Sequence, residues 1–249
     1  SEALSGTVFF EIGDQVWGDN DNGGALGADG KVVELKRAYI DWMVPQTDLK
    51  VRMGIQGIAL PSFTTNASQI MDDDVAAISL NYQFNENVGL TAFWARPYND
   101  NNGYKWNGTD GSQNYMDNMD MFAVLLPLTF DGVKVTPWAM YGMAGANTNF
   151  LTSTSPYARY INNGFKGEDT TTGKAYGSMF WAGLPVAITA FDPLNIEFDI
   201  NYGYVEAMGR YDVLKRGTDL VRGNSKREGW LVKALVEYKM DWGTPGIFG

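Results

Sequence analysis

The sequence predicts an all-β chain arranged as an antiparallel transmembrane β-barrel, and three observations carry that reading. Apolar and polar residues alternate with period two over ten stretches, so each has one apolar and one polar face. These stretches run about 9–13 residues, the length that crosses a bilayer at a tilt. The connections between them alternate strictly between long and short. Outer-membrane barrels combine short turns at one end with longer loops at the other, whereas a Greek-key sandwich has no reason to sort its loops by end.

The first strand, 7–17, sets Val8, Phe10 and Ile12 against Phe9, Glu11 and Gly13. A Gly/Asp/Asn loop leads to the second, 32–44, with Ala38, Ile40, Trp42 and Val44 opposed by Arg37, Tyr39 and Asp41. Pro45-Gln46-Thr47-Asp48 makes a tight turn. The third strand sets Leu49, Val51, Met53 and Ile55 against Lys50, Arg52, Gly54 and Gln56. The loop at 59–74 that follows carries Pro61, a Ser/Thr/Asn-rich middle and the acidic run Asp72-Asp73-Asp74. Strands at 76–84 and 88–96 flank the turn Asn85-Glu86-Asn87, and strands at 119–130 and 133–144 flank the hairpin signal Asp131-Gly132. A strand at 177–190 turns at Asp192-Pro193 into the clearest pattern of all. There Leu194, Ile196, Phe198, Ile200, Tyr202 and Tyr204 oppose Asn195, Glu197, Asp199, Asn201 and Gly203. The last strand, 230–240, sets Trp230, Val232, Ala234, Val236, Tyr238 and Met240 against Lys233, Glu237 and Lys239. Tyr82, Phe84, Phe130, Phe191, Tyr238 and Trp242 gather at the short-turn end, as an interfacial aromatic girdle does.

Composition narrows the chemistry. Mean hydropathy of −0.23 reads as soluble in bulk, but a barrel looks the same because only alternate residues face lipid. There is no Cys and no His, which removes thiolate and imidazole metal sites and the Ser-His and Cys-His nucleophile pairs. Neither an enzyme nor a cofactor is expected. A net charge of −10 argues against nucleic acid as a partner. The run Asp19-Asn20-Asp21-Asn22-Gly23-Gly24 starts like a calcium loop, but Gly30 stands where the closing acid belongs. No metal site is assigned.

If the apolar face meets lipid, the polar face lines a lumen. Candidate lining residues are Arg37, Tyr39, Lys50, Arg52, Gln56, Lys134, Glu197 and Asp199, joined by Glu11, Asp41, Lys233, Glu237 and Lys239. Arg37, Lys50 and Arg52 share a face on adjacent strands. Tucking the 59–74 loop inward sets Asp72, Asp73 and Asp74 against them across a narrow water channel. A transverse field of that kind favours hydrated, dipolar solutes, and fixed charges set ion preference.

The run Leu35-Lys36-Arg37-Ala38-Tyr39-Ile40-Asp41-Trp42, the turn at 45–47 and the run Leu49-Lys50-Val51-Arg52-Met53-Gly54-Ile55-Gln56 resemble Gram-negative general porins. More narrowly, they resemble the homotrimeric outer-membrane porins of sulfate-reducing bacteria. The resemblance covers nearly the whole chain. It implies a sixteen-stranded barrel, a homotrimer in the bacterial outer membrane among lipid and lipopolysaccharide, and passive diffusion of ions and small hydrophilic solutes. In that family the constriction loop follows the fifth strand and faces basic wall residues, which by position become Asp72–74 with Arg37, Lys50 and Arg52. Ten strands are read here, as one domain over 1–249, and the acidic loop follows the third. Two further strands before Ser1 and four after Gly249 reconcile the counts, so the chain is expected to be the interior of a longer porin. The alternative function is a non-channel barrel serving as adhesin or structural anchor through its outside loops.

Overall fold

The computed structural model describes residues 3–11, 34–66, 68–99, 118–144, 177–205, 212–216, 219–223 and 227–249. Among them every regular element is a strand: β1 (Leu4–Glu11), β2 (Glu34–Met43), β3 (Leu49–Ala59), β4 (Asp72–Gln83), β5 (Gly89–Asn99), β6 (Asn118–Leu125), β7 (Leu128–Phe130), β8 (Val133–Val135), β9 (Trp138–Ala144), β10 (Gly177–Phe191), β11 (Leu194–Val205), β12 (Asp212–Arg216), β13 (Asp219–Gly223), β14 (Arg227–Tyr238) and β15 (Gly246–Phe248). All pairings are antiparallel. One sheet runs β1-β2-β3-β4-β5-β6-β9-β10-β11-β14-β15, with β7 and β8 paired beside it and β8 joined to β10; β12 and β13 form a separate ribbon. The sheet is not closed, since β1 and β15 end it without pairing to each other.

Short connections are made by the predicted turn chemistry. Asn85 Oδ1 accepts the backbone N–H groups of Asn87 and Val88 at 2.9 and 3.0 Å, which reverses the chain between β4 and β5. Thr47 Oγ1 donates to the Val44 carbonyl at 2.9 Å in the β2–β3 turn.

Several sequence expectations change in detail. The strand predicted at 119–130 divides into β6 and β7, and that at 133–144 into β8 and β9. Pro127 and Pro137 sit at the breaks, where a residue without an N–H cannot continue the ladder. The tail after 240 contributes the short β15, paired to β14, and the loop at 206–228 contains β12 and β13. The first long loop at 18–31 with its apparent calcium-loop start at 19–24, the ends of the two strands beside it, and the segments 100–117 and 145–176 lie outside the described residues.

The sheet has two unlike faces. On one, an uncharged row runs from β2 to β11 through Ile40, Met53, Ile78, Trp94, Phe122, Tyr141, Phe180 and Tyr204, and meets Glu228 on β14. A parallel row runs through Trp42, Val51, Leu80, Ala92, Val124, Ala139, Ala182, Tyr202 and Trp230. Many of these side chains are exposed, Val124 and Trp230 among them. A soluble monomer rarely exposes a contiguous apolar patch of more than a few hundred Å². Towards the long-loop end the face meets the Arg96–Asp120 ion pair at 2.9 Å. At the turn end Phe84, Phe130, Phe191, Tyr238 and Trp242 are all exposed.

The other face holds the core: Ala77, Phe93, Ala95, Met121, Ala123, Met140 and Met179, with Ile58, Leu60 and Met71 packed onto them. Leu60 and Met71 belong to the segment 60–71 that joins β3 to β4, called the strap below. It reaches Asp199 on β11 and Lys233 on β14. In sheet order β11 lies six strands from β3, about 29 Å if the sheet were flat at roughly 4.8 Å per strand. Ser62 is three residues beyond the end of β3, a reach of about 10 Å. The sheet therefore curls strongly, with the strap inside the curl.

Candidate functional site

The strap is rooted in apolar packing and fastened at its tip by polar groups. At the root Leu60 N–H donates to the Met71 carbonyl at 2.9 Å, and both side chains are buried. At the tip Ser62 Oγ donates to Asp199 Oδ2 at 2.6 Å, Phe63 N–H donates to Oδ1 at 3.2 Å, and the Thr64 hydroxyl donates to the same carboxylate. Lys233 Nζ donates to Ser62 Oγ and Thr65 Oγ1, each at 2.8 Å, and lies 3.2 Å from Asp199 Oδ2. Asp199 is 1% exposed and Lys233 7%. A buried charge pair is tolerated where hydrogen bonds satisfy its remaining lone pairs and protons, and here the strap supplies them.

A basic wall stands on β2 and β3. Asp41 accepts from Arg52 Nε and a guanidinium NH2 at 2.6 and 2.8 Å and lies 3.1 Å from Lys50 Nζ, so one carboxylate serves two cations. The Arg52 guanidinium stacks on the Tyr39 ring at 4.0 Å from its centroid, a cation–π contact. Gln56, also buried, donates to the Ala77 carbonyl at 3.0 Å and accepts from Ser79 Oγ at 2.9 Å, tying β3 to β4.

On β11 and β14 stands an acidic wall. Asn195 Nδ2 donates to Glu197 at 3.0 Å and to Glu237 at 2.9 Å, bridging two carboxylates that make no salt bridge among the described residues. Lys134 is exposed on β8; Ala187 of β10 stands opposite both it and Glu197, so Lys134 flanks this wall without an ion pair of its own among the described residues.

The acidic run falls elsewhere than the sequence reading placed it. Asp72, Asp73 and Asp74 open β4, paired with Ala59, Ile58 and Gly57. Asp72 and Asp73 are exposed. Asp74 binds Arg37 Nε at 2.5 Å, so the pair is neutral and separate from Lys50 and Arg52. The inward segment is thus the hydroxyl-bearing strap at 60–71, with Ser62, Thr64 and Thr65 as its contacts. Its signal was present in the Ser/Thr-rich middle of the loop, but only the fold shows that those hydroxyls meet Asp199 and Lys233. A second difference is the apolar floor. Between the two polar walls, β4 to β10 present Phe93, Met121, Met140 and Met179, not the mixed polar lining the alternation suggested.

A scan against protein-family models finds no match, and no curated protein matches the chain in sequence.

Proposed function

We propose that the chain forms the wall of a bacterial outer-membrane β-barrel channel of the porin type. Ions and small hydrophilic solutes diffuse through it passively, with no chemical step. One observation carries this reading: uncharged rows cross the sheet on one face, while the other bears a basic wall, an acidic wall and an inward strap. The first face suits lipid, where a Lys or Arg at the bilayer midplane costs about 2–4 kcal/mol. The exposed aromatics at the turn end suit its interface.

Solutes pass beside the strap, between Lys50 and Arg52 on one wall and Glu197 and Glu237 on the other. The constriction is therefore the strap with these walls, in place of Asp72–Asp74. Closure to sixteen strands, a homotrimer and contact with lipopolysaccharide belong to the same proposal and rest on the family resemblance.

A second reading is favoured by the apolar floor. A filled interior suits a non-conducting barrel that anchors or displays its long loops. Planar-bilayer recording in a salt gradient separates the two. The channel reading expects current steps in groups of three and a reversal potential that reports the preferred ion. A silent bilayer with inserted protein contradicts it and favours the anchor.

A further inference from the structure

Glycines interrupt the strap face on β9, β10, β11 and β14, and at three of them an indole ring takes the space. A Cβ on Gly183 would meet the Trp138 ring at 2.3 Å, one on Gly203 would meet Trp181 Cδ1 at 3.0 Å, and one on Gly142 would meet Trp181 Cζ3 at 3.1 Å. The Trp181 indole therefore lies across β10, its benzo edge beside Gly142 on β9 and its pyrrole edge beside Gly203 on β11. Gly229 has no such occupant, since a Cβ there would meet nothing within 4 Å. A glycine inside a strand weakens it and often marks a place where a ligand comes close to the backbone. Gly229 stands opposite Gly203 in the β11–β14 register, so two bare residues adjoin beside the Trp181 ring.

A cavity of about 280 Å³ opens at this place, lined by Ile70, Trp181, Val205 and Leu231 around the two glycines, with Asn201 as a polar group. Glu228, the charged residue at its edge, accepts from the Tyr202 hydroxyl and turns to the other face. An apolar cavity of about 150 Å³ accepts benzene, so this one has room for a substituted ring. A saccharide would set most of its hydroxyls against Ile70, Val205 and Leu231 without partners, which is costly. We propose that this niche binds a neutral aromatic ring, packed against the Trp181 indole over Gly203 and Gly229, with Asn201 meeting a hydroxyl substituent. Aromatic pairs of this kind gain from offset-stacked or edge-to-face contact beyond the area they bury. The niche lies four residues along β11 and β14 from Asp199 and Lys233, about 13 Å towards the long-loop end. Binding does not depend on the channel reading; its consequence for transport does, because the ring would then be held on the long-loop side of the strap.

The test follows para-fluorophenol by fluorine NMR in detergent-solubilised protein at neutral pH, where the probe is uncharged. The parent is expected to broaden the resonance, and excess phenol to restore the narrow line. Gly229→Leu fills the niche from a position with open space, and is expected to abolish the broadening that phenol reverses. Trp181→Leu is expected to weaken binding about 2- to 10-fold, the worth of one aromatic pair. Partition of the probe into micelles is the same for parent and variants, so the difference between them reports the niche. Equal broadening by parent and folded Gly229→Leu overturns the proposal, as does a parent line that phenol leaves broad. Reversal by methyl glucoside in place of phenol overturns the choice of an aromatic ligand. Phenol-reversible broadening in a protein that carries no current upholds the niche and overturns the channel, whereas current without it does the opposite.

Discussion

Replacing Lys233 with Met keeps most of the apolar stem and removes the ammonium group. Asp199 is then left 1% exposed with no cation beside it. Hydroxyls of Ser62 and Thr64 and the N–H of Phe63 still reach it, but none carries charge. Removing one partner of a buried pair costs about 3–5 kcal/mol, much of it the cost of the charge left behind. That loss is expected in Lys233→Met, read as the free energy of urea unfolding in lipid vesicles followed by tryptophan fluorescence. Changing Asp199→Leu as well removes the stranded charge, so the double variant is expected to be more stable than Lys233→Met alone. It does not return to the parent's stability, because the strap hydroxyls have lost their acceptor. A Lys233→Met variant within about 1 kcal/mol of the parent contradicts a dry, coupled pair and places water at the strap tip.

Other substitutions probe the remaining parts. Gly54 has φ of 130° and a Cβ there would lie 2.2 Å from the Ala38 carbonyl oxygen. Gly54→Ala is therefore expected to cost about 1–3 kcal/mol in backbone strain alone, visible in the same urea titration as a lower midpoint. Gly183→Ala would set a methyl 2.3 Å from the Trp138 ring and 2.4 Å from Asn201 Oδ1. Its expected loss of about 1–3 kcal/mol from overpacking is read by unfolding, with a changed Trp138 emission. On the open face, Val124→Arg is expected to destabilise the lipid-inserted protein by about 2–4 kcal/mol. On a surface facing water it would cost under about 0.5 kcal/mol, and the unfolding midpoint in vesicles tells the two apart. Glu197→Gln with Glu237→Gln removes two negative charges from one wall, and the reversal potential is expected to move towards anions. An unmoved potential would place the solute path away from that wall.

The strands were legible because their pattern is local. Alternation from Leu194 to Tyr204 assigned β11 and separated its two faces, and the partners found opposite it, Trp230, Val232 and Lys233 among them, keep that division. Pro127 and Pro137 were visible too, yet the apolar alternation on either side ran through them and hid two ladder breaks. The strap was not legible. Ser62 and Asp199 are 137 residues apart, and nothing in either neighbourhood names the other. Nor does period two distinguish a face that meets lipid from one that meets a core, so Met121 and Met140 gave no warning of an apolar floor. The acidic run misled for a different reason: three consecutive aspartates resemble loop sequence, but at the start of a strand Asp72 and Asp73 stay exposed and Asp74 pairs with Arg37, while their backbone pairs with Ala59, Ile58 and Gly57.

The orientation of the sheet is tested most directly by quenching of single tryptophans with brominated lipids. Trp230 stands 72% exposed on the uncharged face and Trp138 is 4% exposed on the strap face. With the other tryptophans replaced by Phe, Trp230 emission is expected to fall strongly in brominated vesicles while Trp138 emission holds. Equal quenching of both, or of neither, contradicts a sheet that turns its uncharged face to lipid and its strap inward.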